Sequence, residues 1–239
     1  MKARLATLLL SLILTMPSQL VMSEVLEQTE EFTGMSLHFQ VILPNDFDPA
    51  QRYPAILHFA GGSQNWRIVV NSTDSDWREP AEQNGYIVIS PEAPNGELFF
   101  REGDRVFPEF LDYILQNYPV ANNKLHVTGH SNGGLSAFHI ASLYPQYFIS
   151  LTGYPGLLGN GNSEQINALQ GMCIFMHVGD QDPSWRSAMN AQFQALQARD
   201  YSISFSVENN QTHRLNVREN NLQSRLLSEL ESARSGCGS

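Results

Sequence analysis

The sequence has 239 residues, of which 42% are hydrophobic and 16% charged, so the chain can bury one sizeable core and fits a single domain. Its formal net charge is -10, and the 14 lysines and arginines form no dense run, which argues against a nucleic-acid partner. No His, Cys and carboxylate cluster has metal-ligand spacing and no dinucleotide fingerprint follows the first strand, so we expect no metal and no cofactor.

The N-terminal 23 residues have the pattern of a secretory signal peptide. Lys2 and Arg4 precede an apolar run at 5–16, which is shorter than the roughly 20 residues that a membrane span requires. A packed N-terminal helix is the alternative, but no polar face interrupts the run. We therefore predict cleavage near Ser23 and a secreted or periplasmic protein with no stable membrane anchor after cleavage.

The remaining chain is predicted to hold one catalytic domain at 24–234 and a disordered tail at 235–239. Two cysteines are too few for a disulfide scaffold. Cys173 lies in the apolar run MCIFMHV, which is typical of a buried small residue, and Cys237 lies in the tail. A bond between them is chemically possible in an oxidising compartment, but the sequence does not predict it.

Short apolar runs alternate with helical stretches along this domain. The predicted strands are SLHFQVILP, AILHFA, YIVIS, KLHVTG, YFISLTG, MCIFMHVG and YSISFSVE. Helical periodicity covers residues 105–118, 132–144, 184–199 and 217–233. This alternation predicts an α/β fold with a mostly parallel central sheet, helices on both faces and no large lid. Ligands of such sheets bind at the carboxyl ends of the strands.

The predicted strand KLHVTG runs into a serine between glycines. Gly129, His130, Ser131, Asn132 and Gly133 precede the helical segment LSAFHIASLY, so strand, tight turn and helix follow the order of a G-x-S-x-G nucleophile elbow. The glycines leave room where a side chain would collide with neighbouring backbone. A chance Gly-Ser-Gly turn is the alternative, and the strand and helix around the motif make it the weaker one.

This motif resembles the nucleophile elbow of the α/β-hydrolase family, in which the acid and then the histidine follow the serine. The resemblance places the acid after MCIFMHVG, where both Asp180 and Asp182 occur. The family pattern Gly-x-x-Asp-Pro favours Asp182 and leaves Asp180 to cap the loop. The base is placed in the loop NNQTHRLN at His213, whereas the six other histidines lie within or beside strands, helices or the elbow.

The same resemblance implies an oxyanion hole made of two backbone N–H groups. One belongs to Asn132, which follows the nucleophile. The other comes from the loop after AILHFA, where the family often reads His-Gly-x-Gly-Gly and this chain reads HFAGG from His58. Because Phe59 replaces the first glycine, both Ala60 and Gly61 are candidate donors.

The segments YPVANNKLHVTGHSNGG and GDQDP resemble small secreted esterases of the polyhydroxybutyrate-depolymerase and feruloyl-esterase type. This resemblance implies a serine esterase that acts on a small-molecule or polymeric ester. Trp66, His130, Tyr154 and Trp185 adjoin the predicted catalytic loops and are candidate substrate-binding residues, although ordinary loop packing explains the aromatics equally well.

Two other functions remain open. One is a serine peptidase of the prolyl-oligopeptidase type, which uses the same elbow and triad order. The other is a non-catalytic binding protein on the same fold, which we would expect to lack a triad member. The sequence predicts neither the natural ester nor the oligomeric state.

Overall fold

The structure is a computed structural model, and it describes residues 24–237. The predicted signal peptide and the last two residues lie outside the described residues. Within the described range, none of the helices has both the length and the hydropathy of a membrane span.

An eight-stranded sheet forms the centre of the fold. In chain order its strands are β1 Val25–Phe32, β2 Met35–Ile42, β3 Tyr53–Phe59, β4 Ile87–Pro91, β5 Val120–Gly129, β6 Phe148–Gly153, β7 Cys173–Gly179 and β8 Ile203–Glu208. Their order across the sheet is β1-β2-β4-β3-β5-β6-β7-β8. The β1–β2 and β2–β4 pairs are antiparallel, and the other five pairs are parallel. The prediction of a mostly parallel sheet is confirmed.

Helices cover both faces of the sheet. Within residues 24–237 they are α1 Trp66–Asp76, α2 Arg78–Asn84, α3 Phe107–Asn117, α4 Asn132–Leu143, α5 Ser163–Ala168, α6 Pro183–Gln197 and α7 Leu222–Arg234. Successive strand residues contribute to different apolar clusters, because strand side chains alternate between faces. Leu57 and Ile89 pack in the cluster that includes α3, α4 and α6, whereas Ile56 and Val88 pack in the cluster that includes α2 and α7.

The helix α3 shows how the apolar pattern positions these elements. Its buried residues recur at helical spacing and are Phe107, Phe110, Leu111 and Ile114. A proline in its first turn is compatible with the helix start, and the extended residue Tyr118, which precedes Pro119, ends it. Each fully buried side chain of this size contributes about 1.5–3 kcal/mol, so α3 is held by packing rather than by helix propensity.

Some elements differ from the sequence prediction. The strand β1 was missed because only Phe32 of its eight residues is buried, and its hydrogen bonds to β2 rather than an apolar pattern fix it. The helices α1, α2 and α5 were also missed. The helix α7 begins at Leu222 rather than at 217, because Asn220 and Asn221 have φ values of 53° and 55°, outside the right-handed helical region.

A disulfide joins Cys173, at the start of β7, to Cys237. The prediction of a disordered tail is therefore wrong for residues 235–237, since covalent attachment to the sheet holds the end of this segment. Cys173 is buried, and Phe175 and Ala233 pack in the same cluster. The bond spans 64 positions of sequence, which include the predicted acid and base loops.

Acid is expected to destabilise the fold through two buried neutral histidines. Burial lowers the pKa of His126 to about 3, with help from the charge of Arg234. Burial also lowers the pKa of His58 to about 3, with help from His130 and Arg214. In the unfolded chain both imidazoles titrate near their ordinary pKa of about 6.5, so between about pH 6.5 and 3 the unfolded state binds more protons. The free energy of unfolding should therefore fall as the pH is lowered through this window.

Urea unfolding at about pH 8, 6.5 and 5 would measure this dependence on acid. The fall should be smaller in His126→Asn than in wild type, because one titrating group is removed while an amide can still contact the Ser150 hydroxyl, which lies 2.7 Å from Nδ1. Identical pH profiles for the two proteins would contradict the prediction.

Candidate active site

The carboxyl ends of five parallel strands bring the predicted catalytic loops to one edge of the sheet. Phe59 at the end of β3 pairs with Gly129 at the end of β5, which in turn pairs with Gly153 at the end of β6. Gly179 at the end of β7 likewise pairs with Glu208 at the end of β8. The loops that begin after these strands include residues 60–62, 130–131, 180–182 and 209–221.

Ser131 lies at the tight turn between β5 and α4. Its backbone has φ 59° and ψ -119°, a conformation that costs a non-glycine residue roughly 1–3 kcal/mol. Hydrogen bonds on both sides hold it, with Ser131 N–H donating to Pro155 O at 2.8 Å and Leu135 N–H donating to Ser131 O at 2.9 Å. A Cβ on Gly133 would lie 2.0 Å from Phe59 O, so only glycine lets α4 start this close to β3.

His213 lies between Ser131 and Asp182. Its Nε2 is 2.7 Å from Ser131 Oγ, and its Nδ1 is 2.6 Å from Asp182 Oδ2. Because a carboxylate can only accept, we assign the proton to Nδ1, which leaves the Nε2 lone pair to accept the serine proton. The Asp182 side chain is 8% exposed and the His213 side chain 42%, so the acid is shielded while the base can be reached from solvent.

The structure distinguishes the two candidate acids. Asp182 is the N-cap of α6, where its Oδ1 accepts from the Ser184 hydroxyl at 3.2 Å and from Trp185 N–H at 3.5 Å. Asp180 instead accepts from Gln211 N–H at 3.2 Å, which holds the loop as its sequence position predicts. Of the two carboxylates, only Asp182 contacts the imidazole of His213.

The loop that carries His213 is anchored by Gln211, which the sequence analysis missed. This buried side chain donates to Glu219 at 2.9 Å and accepts from Asn216 N–H at 3.0 Å. A Cβ on Gly179 would lie 2.2 Å from Gln211 O, so the glycine before the acid allows the base loop to approach β7. No sequence signal marks Gln211, because the burial that obliges its amide to find partners is visible only in the structure.

The glycine-rich loop after β3 is fixed by Gln64, another residue that the sequence analysis missed. The buried Gln64 side chain donates to Ala60 O at 3.1 Å, and its backbone N–H donates to Gly61 O at 3.2 Å. Ala60 C=O and Gly61 N–H belong to the same trans peptide and point in opposite directions. Because Ala60 O faces the Gln64 side chain, Gly61 N–H points away from it. Asn132 is the first residue of α4, where an N–H has no acceptor within the helix, and its side chain donates to Gly62 O at 2.8 Å.

Tyr154, a candidate substrate-binding residue, has a fully buried side chain, which agrees with the alternative of ordinary packing. Its hydroxyl accepts from Trp77 Nε1 at 2.9 Å, and it lies 3.3 Å from both Asp76 Oδ2 and His58 Nδ1. Burial raises the pKa of Tyr154 well above its usual value, with help from the nearby Asp76 carboxyl. These residues form a polar cluster inside the fold.

Replacing Tyr154 with phenylalanine is expected to lower the free energy of unfolding by about 1–2 kcal/mol, because Trp77 Nε1 loses its nearer acceptor and retains only His58 Nδ1 at 3.2 Å. The KM for p-nitrophenyl acetate should stay close to the wild-type value. Urea unfolding and steady-state kinetics measure both quantities. A several-fold rise in KM at unchanged stability would restore the substrate-binding role.

The other three candidate substrate-binding residues differ in their positions. The Trp185 ring lies 5.3 Å from the His213 ring, beside the base. His130 is buried, with its ring 5.5 Å from that of His213, and burial, Arg214 and His213 together lower its pKa to about 4. Trp66 stacks on the His38 ring of β2 at 3.7 Å. Within residues 24–237, Trp66 makes no hydrogen bond or ring contact with Ser131, Asp182 or His213.

A serine elbow, a buried carboxylate and a histidine at the carboxyl edge of a mostly parallel sheet define an α/β hydrolase. A solved structure of a ferulic acid esterase has the same fold, with a TM-score of 0.66 and 18% identity over 91% of this chain and 100% of that chain. The family model named Esterase matches residues 68–226, and the chain belongs to this esterase family.

Two curated relatives show similarity over part of the chain. Dipeptidyl-peptidase 5 of Porphyromonas gingivalis is 32% identical over 129 residues, which cover 49% of this chain and 19% of that protein. Feruloyl esterase B of Talaromyces funiculosus is 24% identical over 134 residues, covering 51% of this chain and 37% of that protein. The chain spans 19% to 44% of the length of the curated relatives it matches.

Proposed function

We propose that the protein is a serine esterase that cleaves carboxylic esters through an acyl-enzyme on Ser131. The observation that carries this proposal is the hydrogen-bond chain from Ser131 Oγ through His213 to Asp182, at 2.7 and 2.6 Å. His213 accepts the serine proton during attack on the carbonyl carbon and donates it to the leaving alcohol. Asp182 holds the tautomer and stabilises the imidazolium. Water, activated by the same base, then attacks the acyl-enzyme and releases the acid.

The oxyanion of each tetrahedral intermediate would be bound by Asn132 N–H and by an N–H from the glycine-rich loop, each contributing about 3 kcal/mol. The hydrogen bonds of Gln64 to this loop support Gly61 N–H as a group free to face the cleft, and Ala60 N–H is the alternative. A preorganised loop suits this role, because donors that are already fixed need no reorganisation during the reaction.

The substrate and the location of the protein are part of the same proposal. Similarity to enzymes named feruloyl esterase and acetylxylan esterase supports small or polymeric esters of aromatic or acetyl groups as the first substrates to test. The disulfide between Cys173 and Cys237 supports export to an oxidising compartment, outside the cell or in the periplasm. We propose no nucleic-acid partner and no cofactor.

A peptidase is the second candidate function. The similarity to a protein named dipeptidyl-peptidase 5, at 32% identity, favours it, and a Ser-His-Asp triad can cleave amides as well as esters. That similarity covers half of this chain and 19% of the relative.

The test is to treat the purified protein with a fluorophosphonate probe, with p-nitrophenyl acetate and butyrate, and with a dipeptide p-nitroanilide. Labelling of Ser131 together with ester turnover is the expected result. Cleavage of the anilide without ester turnover would establish the peptidase instead. No labelling and no turnover would leave a binding protein on a hydrolase fold.

A further inference from the structure

The glycine-rich loop and the base loop follow strands that are not neighbours in the sheet. The glycine-rich loop, residues 60–62, follows β3, and the base loop, residues 209–221, follows β8. The strands β5, β6 and β7 lie between them. Within residues 24–237, no hydrogen bond joins the two loops directly. The proposed mechanism needs an oxyanion donor from one loop and the base from the other, so some other contact must fix their separation.

The side chain of His130 contacts both loops. Its ring rests on Gly61, where an added Cβ would lie 2.5 Å from His130 Nδ1 and 3.1 Å from Cε1. The same ring lies 5.5 Å from the His213 ring, at the distance of an aromatic contact. The Tyr154 ring is 6.2 Å away. Because His130 is 8% exposed, these neighbours enclose most of its surface.

Packing rather than hydrogen bonding holds the His130 ring. Both ring nitrogens are buried, and neither has a hydrogen-bond partner in the described part of the chain. The backbone of His213 lies beside the ring without the geometry of a hydrogen bond. Burial, Arg214 and His213 lower the pKa of His130 to about 4, so the ring is neutral at neutral pH. A neutral ring without hydrogen bonds is positioned by its neighbours, and it passes a displacement of one neighbour on to another.

His213 is the neighbour that can yield to such a displacement. Gly61 and Tyr154 are buried, whereas the His213 side chain is 42% exposed. The position of the His213 ring determines both hydrogen bonds of the triad, at 2.7 Å to Ser131 Oγ and 2.6 Å to Asp182 Oδ2. A misplacement of about 1 Å at a catalytic site lowers the rate by about 100-fold. The volume between the two loops therefore matters for the chemistry.

We propose that His130 is a positioning residue, whose ring volume sets the position of His213 relative to the glycine-rich loop. The inference rests on the proposed esterase function and adds a residue that acts through the base rather than on the substrate. It also gives a reason for glycine at position 61, because a side chain there would displace the His130 ring.

The test is a double-mutant cycle on kcat for p-nitrophenyl acetate. Gly61→Ala keeps the backbone N–H that is the candidate oxyanion donor, but its Cβ displaces the His130 ring, so kcat should fall about 10- to 100-fold. His130→Ala removes the ring and leaves His213 less well placed, so kcat should fall about tenfold.

In the double variant the added Cβ finds no ring to displace. Its closest remaining neighbour is His130 O at 3.0 Å, so kcat should lie within about threefold of that of His130→Ala alone. Two effects that instead multiply would show that the residues act independently, and would overturn the inference.

His130→Leu separates the volume of the ring from its nitrogens. Leucine fills a similar volume and has no polar atom to leave unpartnered. The variant should therefore recover most of the kcat that His130→Ala loses, and it should unfold at a urea concentration at least as high as wild type. A kcat as low as that of His130→Ala would mean that the nitrogens act instead of the volume, and would contradict the proposal.

The KM for p-nitrophenyl acetate distinguishes positioning of the base from substrate binding. It should stay within about twofold of the wild-type value in all four variants, because the interaction that is lost acts in the transition state. A several-fold rise in KM at unchanged kcat would assign His130 to the substrate pocket and overturn the positioning role.

Gly159→Ala is the matched control for an added Cβ. The new atom would lie 3.9 Å from Leu135 Cδ2, an ordinary contact, in the segment between β6 and α5. This variant should keep the wild-type kcat. If Gly61→Ala does not fold by circular dichroism, the comparison of His130→Ala with His130→Leu decides alone.

The outcomes separate this inference from the esterase proposal. If wild type hydrolyses p-nitrophenyl acetate while the effects of the two substitutions multiply, only the positioning role is overturned. A wild-type protein that neither hydrolyses this ester nor reacts with the fluorophosphonate probe overturns the esterase proposal and the inference together.

Discussion

Replacing Ser131 with alanine is expected to lower kcat for p-nitrophenyl acetate by about 10⁴- to 10⁶-fold, the loss typical when a triad nucleophile is removed. The remaining rate would come from the oxyanion donors and substrate binding alone. The fold should be retained, because the backbone hydrogen bonds to Pro155 O and from Leu135 N–H do not involve the serine side chain. Alanine also meets the same backbone strain at φ 59° as serine does.

Steady-state kinetics and fluorophosphonate labelling of Ser131→Ala and wild type measure this effect. Ser187→Ala is a suitable control, because Ser187 is exposed on α6 and contacts no member of the triad. That variant should keep the wild-type rate and the label. If Ser131→Ala retained more than about a hundredth of the wild-type kcat, the acyl-enzyme mechanism would be wrong.

The elbow could be predicted from sequence because its determinants are local. Gly129 and Gly133 flank Ser131, a strand precedes them and a helix follows, so one short segment contains the whole motif. Asp182 and His213 were found through the order of the triad in a family that the elbow resembles. Asp182 and His213 come within hydrogen-bond distance because of the register between β7 and β8. The sequence predicted the two strands but not this register.

The missed residues depend on contacts between distant parts of the chain. Gln64 contacts Ser136, 72 positions away, and Gln211 contacts Asp180, 31 positions away, so no local pattern marks either one. The same reason applies to Tyr154. Its position after β6 suggested that it lines a pocket. Its burial and its contacts with residues such as Trp77, 77 positions away, show that the ring faces the interior.

The disulfide is also a long-range feature, and its removal is expected to have the largest effect on stability. A cross-link between Cys173 and Cys237 closes about 64 residues, and in the chain-entropy description this restriction of the unfolded chain contributes roughly 4 kcal/mol at 25 °C. Replacing both cysteines with serine should therefore lower Tm by about 10 °C. The double variant is preferred because a single replacement leaves a reactive thiol.

Thermal unfolding followed by circular dichroism, with and without a reducing agent, measures this contribution. The reducing agent should lower the Tm of wild type towards that of the double variant and leave the variant unchanged. Equal Tm values for wild type and the double variant in the absence of the reducing agent would contradict the prediction. Activity at 25 °C should differ little, because the hydrogen bonds that join Ser131, His213 and Asp182 do not involve the cysteines. The disulfide would then stabilise the fold that holds the acid and base loops, without taking part in the chemistry that they perform.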